Sequence, residues 1–146
     1  MTEQSFEKLA AWQKAHKLML DIHKKLVPSF PKEEKYDLAD QLRRSSKSVP
    51  ANIAEGAGRY YYMDNVRFCY NARGSLDETL SHLMAARDLG YCPNSLYDDL
   101  RNQIEEIRRL LNGYISWLKA KKIGETEPGA KLVIHEISPE YFVDEG

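Results

Sequence analysis

The groups in this sequence best suited to bind nucleic acid are concentrated at Arg59-Tyr60-Tyr61-Tyr62, followed by Arg67 and Arg73. Guanidinium groups neutralise phosphates and tyrosine rings stack on unpaired bases, the combination that recognises single-stranded RNA. Arg59, Tyr60, Arg67 and Arg73 are therefore the nucleic-acid-binding candidates. The same tyrosines would also pack under a turn or against another subunit. A second basic run, Lys119, Lys121 and Lys122, suits the negative end of a helix dipole and requires no partner.

Catalytic and metal chemistry find less to work with. A di-iron helix bundle needs Glu-x-x-His, which puts carboxylate and imidazole on one helical face. The residues three before His16, His23, His82 and His135 are Gln13, Leu20, Thr79 and Leu132, and none can ligate as a carboxylate. Glu78 and His82 stand four apart, the spacing of a helix-surface contact. There is no Gly-x-Ser-x-Gly elbow, no phosphate-cradling glycine loop followed by lysine and no His-Glu-x-x-His. The expectation is a protein without enzymatic activity, metal or cofactor. Cys69 and Cys92 lack Cys-x-x-Cys spacing and read as small buried residues in a reducing cytoplasm, and no continuous apolar run suggests a membrane span.

Arg43 and Arg44 form a polar constellation with Glu78. One arginine is expected to pair with Glu78 inside the fold, because a guanidinium fork fits a carboxylate and neither charge is stable buried alone. Adjacent helical positions project roughly 100° apart, so the second arginine must face elsewhere.

These groups need helices to position them, and apolar spacing supplies four. The first, near residues 5–27, carries Leu9, Trp12, Met19 and Leu26 together with Ala11, Ala15, Leu18 and Ile22, a stripe wide enough for more than one neighbour. Pro28 and Pro31 interrupt the chain, and Glu33 and Glu34 then suit the first turn of a second helix. In that helix Leu38, Leu42, Val49 and Ile53 fall at helical spacing around Pro50, which predicts a kink, with Ser45, Ser46 or Ser48 compensating the lost hydrogen bond. Gly56 and Gly58 are expected to close it at positive φ. Asp64 or Asn65 would cap a third helix presenting Cys69, Ala72, Leu76, Leu80 and Leu83 as far as Leu89, where Gly90 ends it. Gly74 inside it predicts close approach by another helix. The fourth opens at Pro93 and spaces Leu96, Leu100, Ile104, Ile107, Leu111, Tyr114 and Leu118 by threes and fours. Short connections make neighbouring helices antiparallel, so the expected fold is all-α, an up-down-up-down four-helix bundle over residues 1–123. Trp12, Ile115 and Trp117 stand off the main seams and predict self-association.

Gln41-Leu42-Arg43-Arg44 with Ser48-Val49-Pro50-Ala51-Asn52-Ile53-Ala54-Glu55-Gly56, Phe6, Leu9, Trp12 and Ala15, Phe30-Pro31, Ala72-Arg73-Gly74-Ser75-Leu76 with Glu78, and Leu89-Gly90-Tyr91 together resemble the four-helix-bundle family encoded in intervening sequences of bacterial 23S ribosomal RNA. The resemblance spans roughly residues 5–120. It implies a ring-like homopentamer. A related bundle, the accessory variability protein of diversity-generating retroelements, implies a reverse transcriptase and its template RNA as candidate partners.

A net charge of −1 conceals an uneven distribution. Residues 124–146 hold six acids against Lys131, a local charge of −5, leaving +4 on the rest. This segment is expected to be an extended acidic tail with apolar clusters at Leu132-Val133-Ile134 and Tyr141-Phe142-Val143, either disordered in isolation or docked on a subunit or partner. The function implied is RNA or ribonucleoprotein binding. The competing class is a protein-interaction scaffold whose tail engages a partner or folds over the basic body.

Overall fold

The computed structural model describes residues 5–125. The tail's two apolar clusters and most of its acids lie outside that range. Four α-helices account for most of it: α1 (Ala10–Asp21), α2 (Leu38–Ala57), α3 (Tyr62–Asp88) and α4 (Asn94–Lys121). No strand occurs among the described residues, and no described helix is long and apolar enough to cross a membrane. The helices pack in a cycle, α1 on α2, α2 on α3, α3 on α4 and α4 back on α1. Paired side chains show the direction of each seam: Ser45 meets Thr79 and Ser48 meets Ser75 across α2 and α3, while Asn65 meets Tyr114 and Asp77 meets Arg108 across α3 and α4. Residue numbers fall on one helix as they rise on the other, so both pairs run antiparallel.

The core follows the expected stripes. Leu18, Ile22, Leu42, Ile53, Leu76, Leu83, Leu100, Ile104, Ile107 and Leu111 have no exposed surface. Burying each such side chain stabilises the fold by about 1.5–3 kcal/mol.

Boundaries depart from expectation where local geometry overrides the apolar period. A short 3₁₀ turn at Phe6–Lys8, capped by the Ser5 hydroxyl, precedes α1, and Leu9 at ψ 125° separates them. After Asp21 the chain loosens into a π turn at Ile22–Leu26 and then a 3₁₀ turn at Val27–Ser29. Glu33 and Glu34 belong to another 3₁₀ turn, Lys32–Glu34, so α2 begins only at Leu38. Tyr61 occupies the position before α3. Asp64 and Asn65 are already helical, and Asn65 is instead a buried core residue, with its amide donating to the Tyr114 hydroxyl at 3.1 Å.

Helix α2 continues through Pro50. The three nearby hydroxyls make other bonds: Ser46 donates to the Arg43 carbonyl, Ser48 pairs with Ser75 at 2.8 Å, and Ser45 accepts from Thr79 at 2.9 Å. The last two pairs join α2 to α3.

Both glycine expectations are corrected. Gly58 has φ −77°, and positive φ occurs instead at Gly90 and Gly124. Gly56 is needed for space: a Cβ there would lie 2.7 Å from Asn65 Oδ1 and 2.9 Å from Phe68 Cβ. Gly74, expected to admit a neighbouring helix, has nothing within 4 Å of where its Cβ would be. The glycine that the approach of α2 and α3 requires is therefore Gly56 beside the turn, not Gly74.

Candidate nucleic-acid interface

Gly56 lets α3 start close against α2, which brings the α2–α3 turn and the end of α4 together. Tyr62 N donates to the Ile123 carbonyl at 2.9 Å, tying the start of α3 to the exit of α4. The basic last turn of α4 thus lies beside the basic turn between α2 and α3.

Two cation–aromatic groups flank α3 there. On one flank, the guanidinium carbons of Arg59 and Arg67 lie 5.0 and 5.6 Å from the centre of the Phe68 ring. On the other, Arg73 and Lys119 lie 5.0 and 5.1 Å from the centre of the Tyr70 ring. Arg73 also donates to Asn112 Oδ1 at 2.9 Å, and Lys119 donates to the Tyr70 hydroxyl. At roughly 100° per residue, Phe68 and Tyr70 project about 160° apart, Phe68 toward α2 and Tyr70 toward α4.

The candidates predicted as one cluster are thus divided. Arg59 and Arg67 share Phe68, whereas Arg73 belongs to the group across α3 and α4. Tyr60, 44% exposed, lies on the turn, and Tyr61 and Tyr62 stack edge-on against each other at 5.2 Å. Phe68, Tyr70, Asn112 and Lys119 were not singled out as partners, because their pairing depends on the register between helices. The four-residue-apart charges give the one local signal: Arg59 lies 3.4 Å from Glu55.

Electrostatically the site is available to anions. Arg59 pairs with exposed Glu55, and Arg67 with exposed Asp64 at 3.7 Å. Exposed pairs of this kind contribute about 0–1 kcal/mol, so a phosphate can replace either carboxylate at little cost.

The expected pairing of Arg43 or Arg44 with Glu78 is not formed. Arg43 donates to the Lys35 carbonyl at 2.7 Å and approaches Asp40, Arg44 also approaches Asp40, and Glu78 faces His82 at 3.4 Å. Small hydroxyls occupy the α2–α3 seam, so neither charge has to be desolvated there. Of the expected oligomer contacts, Ile115 is corrected: it is 5% exposed and belongs to the core. Trp12 is half-buried between Phe6, edge-on at 5.0 Å, and His16, stacked at 4.8 Å, while Trp117 stacks on Tyr114 at 6.4 Å.

Burial pushes the Cys69 thiol up to about 12 and raises Cys92 as well, so both are protonated at neutral pH and poor nucleophiles. Among the described residues, no three His, Cys, Asp or Glu side chains are grouped to hold a metal ion.

The described residues thus form an all-helical bundle with cationic and aromatic side chains gathered at one end. The chain belongs to the 23S rRNA-intervening sequence protein family, whose model matches residues 7–113. Its fold is similar to the crystal structure of a protein of unknown function from the S23 ribosomal protein family of Bacteroides thetaiotaomicron, with a TM-score of 0.67 and 22% identity over 73% of this chain and 98% of that one. No curated protein matches it.

Proposed function

We propose that this protein is a non-catalytic RNA-binding protein that holds single-stranded or looped RNA at the α2–α3 end of its bundle. The observation that supports this reading is the pair of cation–aromatic groups on opposite flanks of α3, Arg59/Arg67/Phe68 and Arg73/Lys119/Tyr70. Each offers cations for phosphate, and exposed Tyr60 and Tyr70 offer rings for unpaired bases. Five copies in a ring, as the family resemblance implies, would present the surface repeatedly and raise the avidity of weak individual contacts. A reverse transcriptase acting on the same RNA is a narrower version of this reading, and a reverse-transcriptase gene beside this one would favour it.

The test is binding of a fluorescein-labelled oligouridylate across a salt series. Affinity should fall with salt. The slope should shrink by about 0.7 for each phosphate left unneutralised in Arg59→Ala/Arg67→Ala and in Arg73→Ala/Lys119→Ala. Absence of binding at about 100 mM salt by an intact, helical protein overturns the reading. Tyr36 and Leu89, both well exposed on loops 30–37 and 89–93, favour a second reading as a protein-interaction scaffold. Undiminished capture of a protein partner by both arginine variants would select it.

A further inference from the structure

The two cation–aromatic groups differ in how their charges are compensated. On the α2 flank each arginine has its own acid, Glu55 for Arg59 and Asp64 for Arg67, so that group is formally neutral. On the α4 flank Arg73 and Lys119 share the Tyr70 ring, and among the described residues neither forms an ion pair. Sequence and packing both withhold an acid from them. No carboxylate stands three or four positions from Lys119, the reach of a pair along one helix. For Arg73 the carboxylate so placed is Asp77, but Arg108 of α4 holds it at 2.6 Å. Two like charges therefore lie beside one ring with their charge uncompensated.

What this group presents to solvent is donors. Arg73 gives one hydrogen to Asn112 Oδ1 at 2.9 Å and keeps the rest of its guanidinium fork. Asn112, with its oxygen engaged, has amide hydrogens left for another acceptor. The Tyr70 hydroxyl accepts from Lys119, which leaves the phenol hydrogen to be donated. Tyr70 is 38% exposed and both Asn112 and Lys119 are exposed, so a ligand reaches all of them from solvent. A phosphate monoester is the matching acceptor, with a charge of about −1.5 to −2 at pH 7 and three strongly accepting oxygens. A phosphate inside a strand has a single charge and fewer free oxygens. In RNA the monoester occurs only at a strand end.

We propose that Arg73, Lys119, Tyr70 and Asn112 bind the terminal phosphate of an RNA strand, while the Arg59/Arg67 flank contacts internal phosphates. The proposal rests on the RNA-binding reading and assigns the two flanks different parts of one ligand.

The experiment is competition against the fluorescein-labelled oligouridylate at about 50 mM salt, where surface charges are weakly screened. Unlabelled oligouridylates of one length carry a 5′-phosphate, a 3′-phosphate or hydroxyls at both ends. One of the phosphorylated forms should compete about tenfold better than the hydroxyl form at pH 7.5, the worth of one charge-assisted hydrogen bond, and its identity tells which strand end is held. The advantage should fade at about pH 5, because the second ionisation of the phosphate lies near pH 6. The charged groups facing the site are Arg73 and Asp77 of α3 and Arg108 and Lys119 of α4, with no histidine among them, so this pH dependence belongs to the ligand. Arg73→Ala/Lys119→Ala should abolish the advantage. Arg59→Ala/Arg67→Ala should weaken all three competitors and preserve it. Equal competition by the three forms overturns the proposal, as does an advantage that persists in Arg73→Ala/Lys119→Ala.

Calorimetric titration with uridine 5′- and 3′-monophosphate, with uridine as the blank, separates this site from the RNA reading. Nucleotide binding lost only in Arg73→Ala/Lys119→Ala, by a protein that takes up no oligouridylate, would keep the phosphate site and remove the RNA reading. Oligouridylate binding with equal competition would do the reverse, and binding of neither ligand would overturn both.

Discussion

Gly56 and Gly74 carry the same side chain on facing helices and have opposite requirements. A methyl group at Gly56 meets Asn65 and Phe68, including the Asn65 carbonyl oxygen at 3.1 Å, and backbone cannot move aside cheaply. Gly56→Ala should destabilise the fold by about 1–3 kcal/mol in urea unfolding. Gly74→Ala meets open space and should stabilise it by about 0.5–1 kcal/mol through helix propensity. Asn65 gives a second residue-scale prediction. It donates to the Tyr114 hydroxyl and accepts, at 3.6 Å, from the Cys69 thiol in a fully enclosed site. Asn65→Ala should cost about 1–3 kcal/mol by removing the amide's bond to the Tyr114 hydroxyl, and less in a Tyr114→Phe background. An equal cost in both backgrounds would show that this bond does not contribute.

Asp21 joins elements. From the end of α1 it accepts from Lys17 at 2.6 Å and from Gln103 of α4 at 2.9 Å, with Lys25 3.7 Å away. Burial by itself raises its pKa, but the hydrogen bonds from Lys17 and Gln103 and the two lysine charges outweigh burial, leaving it below the ordinary 3.8. A carboxyl with a lowered folded-state pKa contributes stability above its unfolded value, and the contribution is lost as pH falls through the folded value. Asp21→Asn should therefore cost on the order of 1 kcal/mol at pH 7, and the difference from the native chain should shrink below pH 3.8. Thermal unfolding at pH 7 and pH 3 checks this, and a constant difference would assign the effect to packing. The α2–α3 seam has another basis. Its Ser45–Thr79 and Ser48–Ser75 pairs satisfy hydroxyls with small side chains, which allows two backbones to lie close together.

At the scale of the whole molecule, charge is sorted by position. The basic turn between α2 and α3 lies beside the basic end of α4, so RNA held there, as proposed, should be released by rising ionic strength. Assembly belongs to this scale as well. Phe6 of the preceding 3₁₀ turn and Trp12 and His16 of α1 form a half-buried aromatic ridge. If that ridge seals a ring of five, Trp12→Ala should shift the mass measured by light scattering toward monomer while far-ultraviolet circular dichroism stays helical. A native chain that is monomeric at micromolar concentration would end the pentamer expectation.

Four helices, the α4 seam from Leu96 to Leu118, the stop at Gly90 and the start at Pro93 were determined by the sequence alone, because apolar period and φ restriction act between residues a few positions apart. The Arg59–Tyr60–Arg67 region was legible for the same reason, as a dense local string. Only tertiary structure decided how that string is used. Whether Arg73 joins Arg59, or bonds Asn112 and shares the Tyr70 ring with Lys119, depends on which faces of α3 and α4 meet. Whether Gly56 or Gly74 marks the close approach depends on where two helix axes converge, and whether Arg43 pairs with Glu78 or Asp40 depends on what fills the seam between them. These are distances between residues far apart in the chain, set by the packing of all four helices at once, and no local pattern encodes them.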